Sequence, residues 1–408
     1  MSGKNWRITG FIITAVGFFI PFAAAKGGGM PMGRYPTVTA IWAGLWLIAF
    51  YCLYRCHSAA KDWPTGFRVW RKVAFFIKDY TSYFLILSSL TAANFYPTGL
   101  AWHLPQLQMQ FVSATLLIMG MAIPVDDWKR IFKHPKPIFQ IWAVRWITMP
   151  LIALIIGYAI FHSLITDPRM AKTLIASQVL IGTTTTGAAS NVYTFLVGGD
   201  APLAVMTTTL STLTDPVLQP PVASALIGAI VNVPVVKMMI DLIIGVIVPL
   251  LVGVFISAVF LRNKVREYGF LFGAVSVLIM IPLFFGAFCA GWATLLKNLY
   301  ICPILLLVDF LQAGCGLSLG YYLPGKLFGY SEAQRRSAMF EVGVENISIT
   351  AALAFKYFGP LAATSAGVYG ITQTVLVLWV LNRLKAKDEK DQSAIGIAVK
   401  LTKHASLR

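Results

Sequence analysis

Charge is what this 408-residue chain has least of. Only 12% of its residues are charged, against about 25% in a water-soluble domain. So little polar surface excludes an ordinary soluble globule of this size and makes a bilayer the natural solvent. Acidic residues are the scarcer kind, 16 against 33 Lys and Arg, for a net charge of +17. Histidine is sparse as well. His57, His103, His134, His162 and His404 form no HExxH pair, and no nucleophile elbow or phosphate-cradling glycine loop is present, which removes the usual hydrolase patterns. The five cysteines, Cys52, Cys56, Cys289, Cys302 and Cys315, include no CxxC and read as small apolar packing residues. No combination of nucleophile, base and orienting group emerges, so the chain does not read as an enzyme.

Hydrophobic residues make up 57% of the chain, in runs that recur along almost its whole length. A membrane helix needs roughly 20 apolar residues. Twelve stretches qualify, near 8–25, 36–54, 80–97, 106–124, 138–161, 173–197, 201–232, 236–260, 268–292, 299–323, 338–356 and 361–382. The first has Lys4 and Arg7 before it and Ala23-Ala24-Ala25 at its end, the form of a signal peptide. It is read as retained because the later spans then give a consistent topology. With the N-terminus inside, the inner segments hold 25 Lys and Arg and the outer connections 7. That asymmetry predicts cytoplasmic termini and an even number of spans, in a bacterial-type inner membrane. It also explains the basic excess without nucleic acid. The stretch from Arg55 to Lys78 mixes basic residues with Phe67, Trp70, Val73, Phe76 and Ile77 and has the make-up of an interfacial helix.

Spans three to seven and eight to twelve form two sets of five, and an odd number per set forces opposite orientations. Polar interruptions fall at matching places. The fourth span of the first set carries Gly182-Thr-Thr-Thr-Thr-Gly-Ala-Ala-Ser-Asn191, and that of the second carries Glu341-Val-Gly-Val-Glu-Asn-Ile-Ser348. The third span of each set carries a charge, Arg145 in one and Asp309 in the other. Small polar residues also serve simple helix packing. Matched interruptions in two halves, with Arg145, Asp215, Asp309, Glu341 and Glu345 nearby, point instead to broken helices around a midplane site. The expected fold is an all-α membrane protein of about twelve spans. It has an inverted repeat of five plus five with two broken crossing helices, preceded by two extra N-terminal helices. The expected divisions are an N-terminal extension 1–79, a ten-helix domain 80–385 and a basic cytoplasmic tail 386–408.

Three stretches are similar to the bile acid:sodium symporter family, and the resemblance covers roughly residues 75–385. They are Met119-Gly-Met-Ala-Ile-Pro-Val-Asp-Asp-Trp-Lys-Arg130 with His134-Pro-Lys-Pro137; Gly187-Ala-Ala-Ser-Asn-Val-Tyr-Thr194 continuing through Gly199-Asp200 to Ser211-Thr-Leu-Thr-Asp-Pro216; and Glu341-Val-Gly-Val-Glu-Asn346. The resemblance implies a panel domain, a core domain and two helices crossing near the midplane. It implies a first sodium site at Ser190, Asn191, Thr208 and Glu341, with Ala204 where the family has a serine. The second family site uses the glutamate, two carbonyls, here Val342 and Val344, and two glutamines. The glutamines fall at Arg145 and Glu345. Substrate contacts carried over fall at Ala188, where the family has threonine, and at Asn346, with Ser190 beside them.

The two glutamine replacements are opposite in charge, so an Arg145–Glu345 pair is expected where the second ion would sit, with Asp309 a candidate third member. Arginine stays charged at any accessible pH and can stand in permanently for a cation. One sodium site therefore remains as an expectation, with a small organic anion (bile-acid-like or pantoate-like) as substrate. Proton-coupled or uncoupled carriage and a receptor-like role stay open, and the N-terminal helices are a candidate oligomer surface.

Overall fold

The computed structural model describes residues 107–122, 135–261, separate positions between 272 and 295, and 297–405, with side chains to 384 and at 386. The expected spans near 8–25, 36–54 and 80–97, most of that near 268–292, and the basic stretch 55–78 lie outside these residues.

The described part is helical in order: α1 (Gln108–Met121), α2 (Pro135–Leu164), α3 (Pro168–Thr183), α4 (Ala189–Leu196), α5 (Ala201–Ile227), α6 (Val235–Leu242), α7 (Val248–Ile256), α8 (Ile301–Phe328), α9 (Glu332–Gly343), α10 (Ile347–Phe358) and α11 (Pro360–Ala405). Local chemistry sets several helix starts. Asp167 accepts the Arg169 N–H at 2.9 Å, and Pro168 opens α3. Asp200 accepts the Leu203 N–H to start α5, and Ser331 and Gln334 form a capping box on α9. These side chains satisfy amide groups that a helix start leaves bare. Gly329 ends α8 at φ 67°.

Four stretches among the described residues are long and apolar enough to cross a membrane: Pro135–Leu164, Val235–Phe260, Ile301–Phe328 and Pro360–Leu384. Their faces are arranged for lipid. On α2, Ile147 and Ile155 are 62% and 65% exposed and Leu151 lies between them on the same stripe, while Ile141, Arg145, Met149, Ala153 and Phe161 are buried on the opposite face. The exposed side is apolar and the buried side carries the charge, the reverse of a water-soluble amphipathic helix. The stretch from α6 through the following turn to α7 also turns apolar side chains outward, with Val236, Ile240, Ile244, Val248 and Phe255 exposed.

A π-helical turn, Ile243–Ile247, joins α6 to α7, and a second, Ser257–Leu261, follows α7. The first turn is tied to α1 by the Ser113 hydroxyl, which donates to the Gly245 carbonyl at 2.8 Å. Helix α1 packs on α7 backbone to backbone. A Cβ on Gly120 would sit 2.2 Å from the Leu250 carbonyl oxygen, and one on Gly253 would sit 2.1 Å from that of Leu117. Only glycine permits this approach, the small-residue contact on which membrane helices rely. The remaining helices α2–α5 and α8–α11 surround a buried polar centre.

Candidate functional site at two broken helices

The centre is built where two apolar stretches stop being helices. On one side α3 ends at Thr183 and α4 begins at Ala189; on the other α9 ends at Gly343 and α10 begins at Ile347. Both interruptions fall inside the spans expected near 173–197 and 338–356. Between the helices the two chains run extended and antiparallel, bridged at Thr186 and Glu345. The Gly187 N–H donates to the Val344 carbonyl at 3.0 Å and the Asn346 N–H to the Thr185 carbonyl at 2.9 Å. Gly187 is required here, because a Cβ would lie 2.7 Å from the Glu345 carbonyl oxygen.

Unwound backbone away from water survives only if its polar groups find partners. Side chains from neighbouring helices supply them. Gln373 of α11 accepts the Glu345 N–H at 2.7 Å and donates to the Glu345 carbonyl at 3.3 Å. The Thr186 hydroxyl donates to the Glu341 carbonyl at 2.8 Å, and the Thr186 N–H donates to the Ser211 hydroxyl at 3.4 Å. The Asn346 side chain caps α10 through the Ile349 N–H.

The four residues expected at a first ion site come together. The Ser190 hydroxyl donates to Glu341 Oε1 at 2.6 Å. Thr208 Oγ1 lies 3.0 and 2.9 Å from the two Glu341 oxygens, 3.3 Å from Asn191 Oδ1 and 3.3 Å from Ser190 Oγ. Thr208 has one hydroxyl proton and cannot donate to every neighbour at once. Five oxygens thus share two hydroxyl protons, an excess of acceptors that suits a cation. Ala204, one turn before Thr208, is fully buried and adds no oxygen.

Four residues along from Glu341, Glu345 has a different setting. Arg145, 1% exposed, pairs with Glu345 Oε2. The same guanidinium donates to the carbonyls of Glu341 at 3.2 Å and Val342 at 3.0 Å, and to that of Thr184 at 2.5 Å. Its terminal nitrogens are therefore held by four oxygens from both broken helices. The Val344 carbonyl, expected in this shell, instead accepts the Gly187 N–H. Asp309 makes no ion pair with Arg145; it lies on α8, fully buried, beside Gln178 of α3. Of the substrate positions, Ala188 is exposed at the mouth of the first break, Asn346 is half-buried at the second, and Ser190 is buried between them and Glu341.

Gln373, Thr186, Ser211 and the Thr184 carbonyl are partners that the sequence reading does not single out. The signal for Gln373 is its place in Thr372-Gln373-Thr374, a polar triplet inside the last span, where polar side chains are costly unless they have partners.

Apolar helices with an inverted polar interior, closing around two broken segments, define a multi-pass helical membrane protein. Residues 109–302 match the model of the Sodium Bile acid symporter family. The chain is 24% identical over 328 residues to the sodium-dependent transporter YocS of Bacillus subtilis (strain 168), covering 79% of this chain and 98% of that protein. It is 27% identical over 335 residues to the probable chloroplastic sodium/metabolite cotransporter BASS1 of Arabidopsis thaliana, covering 79% of this chain and 78% of that one. The Oryza sativa protein of the same name is 25% identical over 337 residues, covering 79% and 80%. Over residues 109–302 the chain is similar to the Sodium Bile acid symporter family, and the relatives it resembles along most of their length carry sodium-transporter names. The members of that family are transporters, not enzymes.

Proposed function

We propose that this protein is a secondary carrier of a small organic anion that works by alternating access. In this reading residues 80–385 hold the inverted repeat of five plus five spans, 1–79 form an appended helical pair, and 386–408 a basic cytoplasmic tail. Both termini face the cytoplasm of a bacterial-type inner membrane, as the 25 to 7 division of Lys and Arg indicates. The anion binds at the mouth of the two breaks, near Ala188, Ser190 and Asn346. Sodium binds among Ser190, Asn191, Thr208 and Glu341, where acceptor oxygens outnumber protons. The relatives named as sodium-dependent transporters and sodium/metabolite cotransporters support that choice.

The observation that carries the reading is the shell around Arg145: three carbonyls and one carboxylate oxygen, drawn from both broken helices. All are oxygen acceptors, as the shell of a hard cation would be. Arg145 is a resident cation in place of a second mobile one, and Glu345 balances it. One sodium per cycle follows, where two mobile ions would otherwise be used. A second reading, proton coupling, is favoured by the same excess of acceptors at Glu341, since one added proton also relieves it.

The test is uptake of radiolabelled pantoate and taurocholate into liposomes containing the purified protein, with and without a sodium gradient. Sodium-driven uptake with a Hill coefficient near 1 for sodium is expected. The double change Arg145→Gln and Glu345→Gln should raise that coefficient above 1. Uptake driven by a proton gradient and indifferent to sodium would establish the second reading. Cooperative use of two sodium ions by the unaltered protein would sink the role assigned to Arg145.

A further inference from the structure

The buried carboxylate of Asp309 takes no part in the site above. It lies within α8 at 0% exposure, and among the described residues neither oxygen has a partner in hydrogen-bond geometry, Gln178 being the donor nearby. No cation forms an ion pair with it among the described residues. Its surroundings are polar but uncharged. Gln178 of α3 lies beside it and donates through Nε2 to Gln312 Oε1 at 2.9 Å. Tyr369 of α11 lies beside Gln312, within electrostatic reach of Asp309 and Glu345. Gln178 Oε1, Gln312 Nε2 and the Tyr369 hydroxyl are also buried and without partners. Four side chains from three helices thus converge with unmet hydrogen-bonding capacity.

We propose that Asp309 is a proton-binding site, separate from the Glu341 cluster, taking up one proton (carboxylate plus H+ giving carboxylic acid) in the arrangement described. An ionised carboxylate in this setting would have only neutral amide and phenol groups near it and no countercharge among the described residues, and an unpaired buried charge is costly. Among the described residues, the titratable groups on the helices packed against α8 supply no countercharge. Arg145 is committed to Glu345 and three carbonyls, Glu341 to Ser190 and Thr208, and Tyr369 is a neutral phenol. Asp215, a second buried carboxylate among the described residues, differs because Arg145 lies within electrostatic reach of it and the Thr185 backbone lies beside it. A metal ion fits the cluster less well than a proton, since the spare Gln312 Nε2 is a donor and would oppose a cation. A neutral acid can also donate, which a carboxylate cannot, and Gln178 Oε1 is a free acceptor in the same cluster.

The role in coupling rests on the carrier reading, but the protonation can be tested without any substrate. Infrared spectra of the full-length protein in lipid, recorded through a pH titration, report the carbonyl stretch of an un-ionised carboxyl group. A deuterium-sensitive band is expected at neutral pH in the unaltered protein. One component of it should be lost in Asp309→Asn, shift in Asp309→Glu and persist in both Asp215→Asn and Glu341→Gln. The glutamate variant keeps the test open if the asparagine variant does not assemble. A spectrum unchanged by both Asp309 substitutions would overturn the proposal. So would a band that sodium chloride at fixed pH removes from the unaltered protein but not from Asp309→Glu, because the cluster would then take a metal ion.

Discussion

Glu341 and Glu345 lie four residues apart at one broken helix, and both are buried, yet their neighbours have nothing in common. Glu341 is surrounded by hydroxyl and amide groups that can turn to suit a charged or a neutral carboxyl. Glu345 faces a guanidinium that cannot change charge. The first arrangement suits a partner that comes and goes, the second one that stays. The largest expected effect comes from breaking the second. Arg145→Ala leaves Glu345 unpaired and should cost about 3–5 kcal/mol, the usual penalty for stranding one member of a buried pair. Thermal unfolding in detergent measures it, and Arg145→Gln combined with Glu345→Gln should recover most of the loss. If Arg145→Ala is as stable as the unaltered protein, the pair does not hold the two breaks together.

Gln373 tests the backbone that both carboxylates share. Gln373→Leu removes the partner of the Glu345 N–H and carbonyl, and should cost about 1–3 kcal/mol by the same melting assay. The comparison can be sharpened by adding an oxygen on the Glu341 side. Ala204→Ser places a hydroxyl one turn from Thr208 and should tighten half-saturation by sodium in the uptake assay about fivefold, equivalent to about 1 kcal/mol. Unchanged sodium dependence would show that residue 204 does not face the ion. The smallest effect belongs to the α9 entrance, outside the apolar spans. Burial pushes the Glu332 carboxyl up, but the Tyr321 hydroxyl and the Arg336 and Arg335 guanidiniums outweigh it, holding it below its ordinary range. Its stabilisation is present at neutral pH and is lost as pH falls through that lowered value. Glu332→Gln should therefore cost no more than about 0.5 kcal/mol at neutral pH, with less loss of melting temperature on acidification.

The breaks are visible in the sequence because their composition differs from that of any lipid-facing helix. Four threonines between Gly182 and Gly187, and two glutamates, a glycine and an asparagine between Glu341 and Asn346, leave few side chains fit for hydrocarbon. Arg145 and Glu345 are legible as a pair because two buried opposite charges must find countercharge. Helix rotation is not legible. Asp309 is expected to extend that pair, yet lies beside Gln178, because spacing along one helix does not say which neighbour it faces. Nothing in Ile243–Ile247 marks a π-helical turn except Gly245, and that turn depends on Ser113 of a distant helix. Gln373 is readable as polar, but not as the partner of one residue's N–H and carbonyl, since that pairing exists only once α11 has docked.

The antiparallel bridge between Thr186 and Glu345 has a mechanical consequence. Two amide-to-carbonyl bonds span it, and Arg145 clasps carbonyls on either side. The two broken elements are yoked at this joint. A displacement of one break is therefore passed directly to the other through backbone bonds.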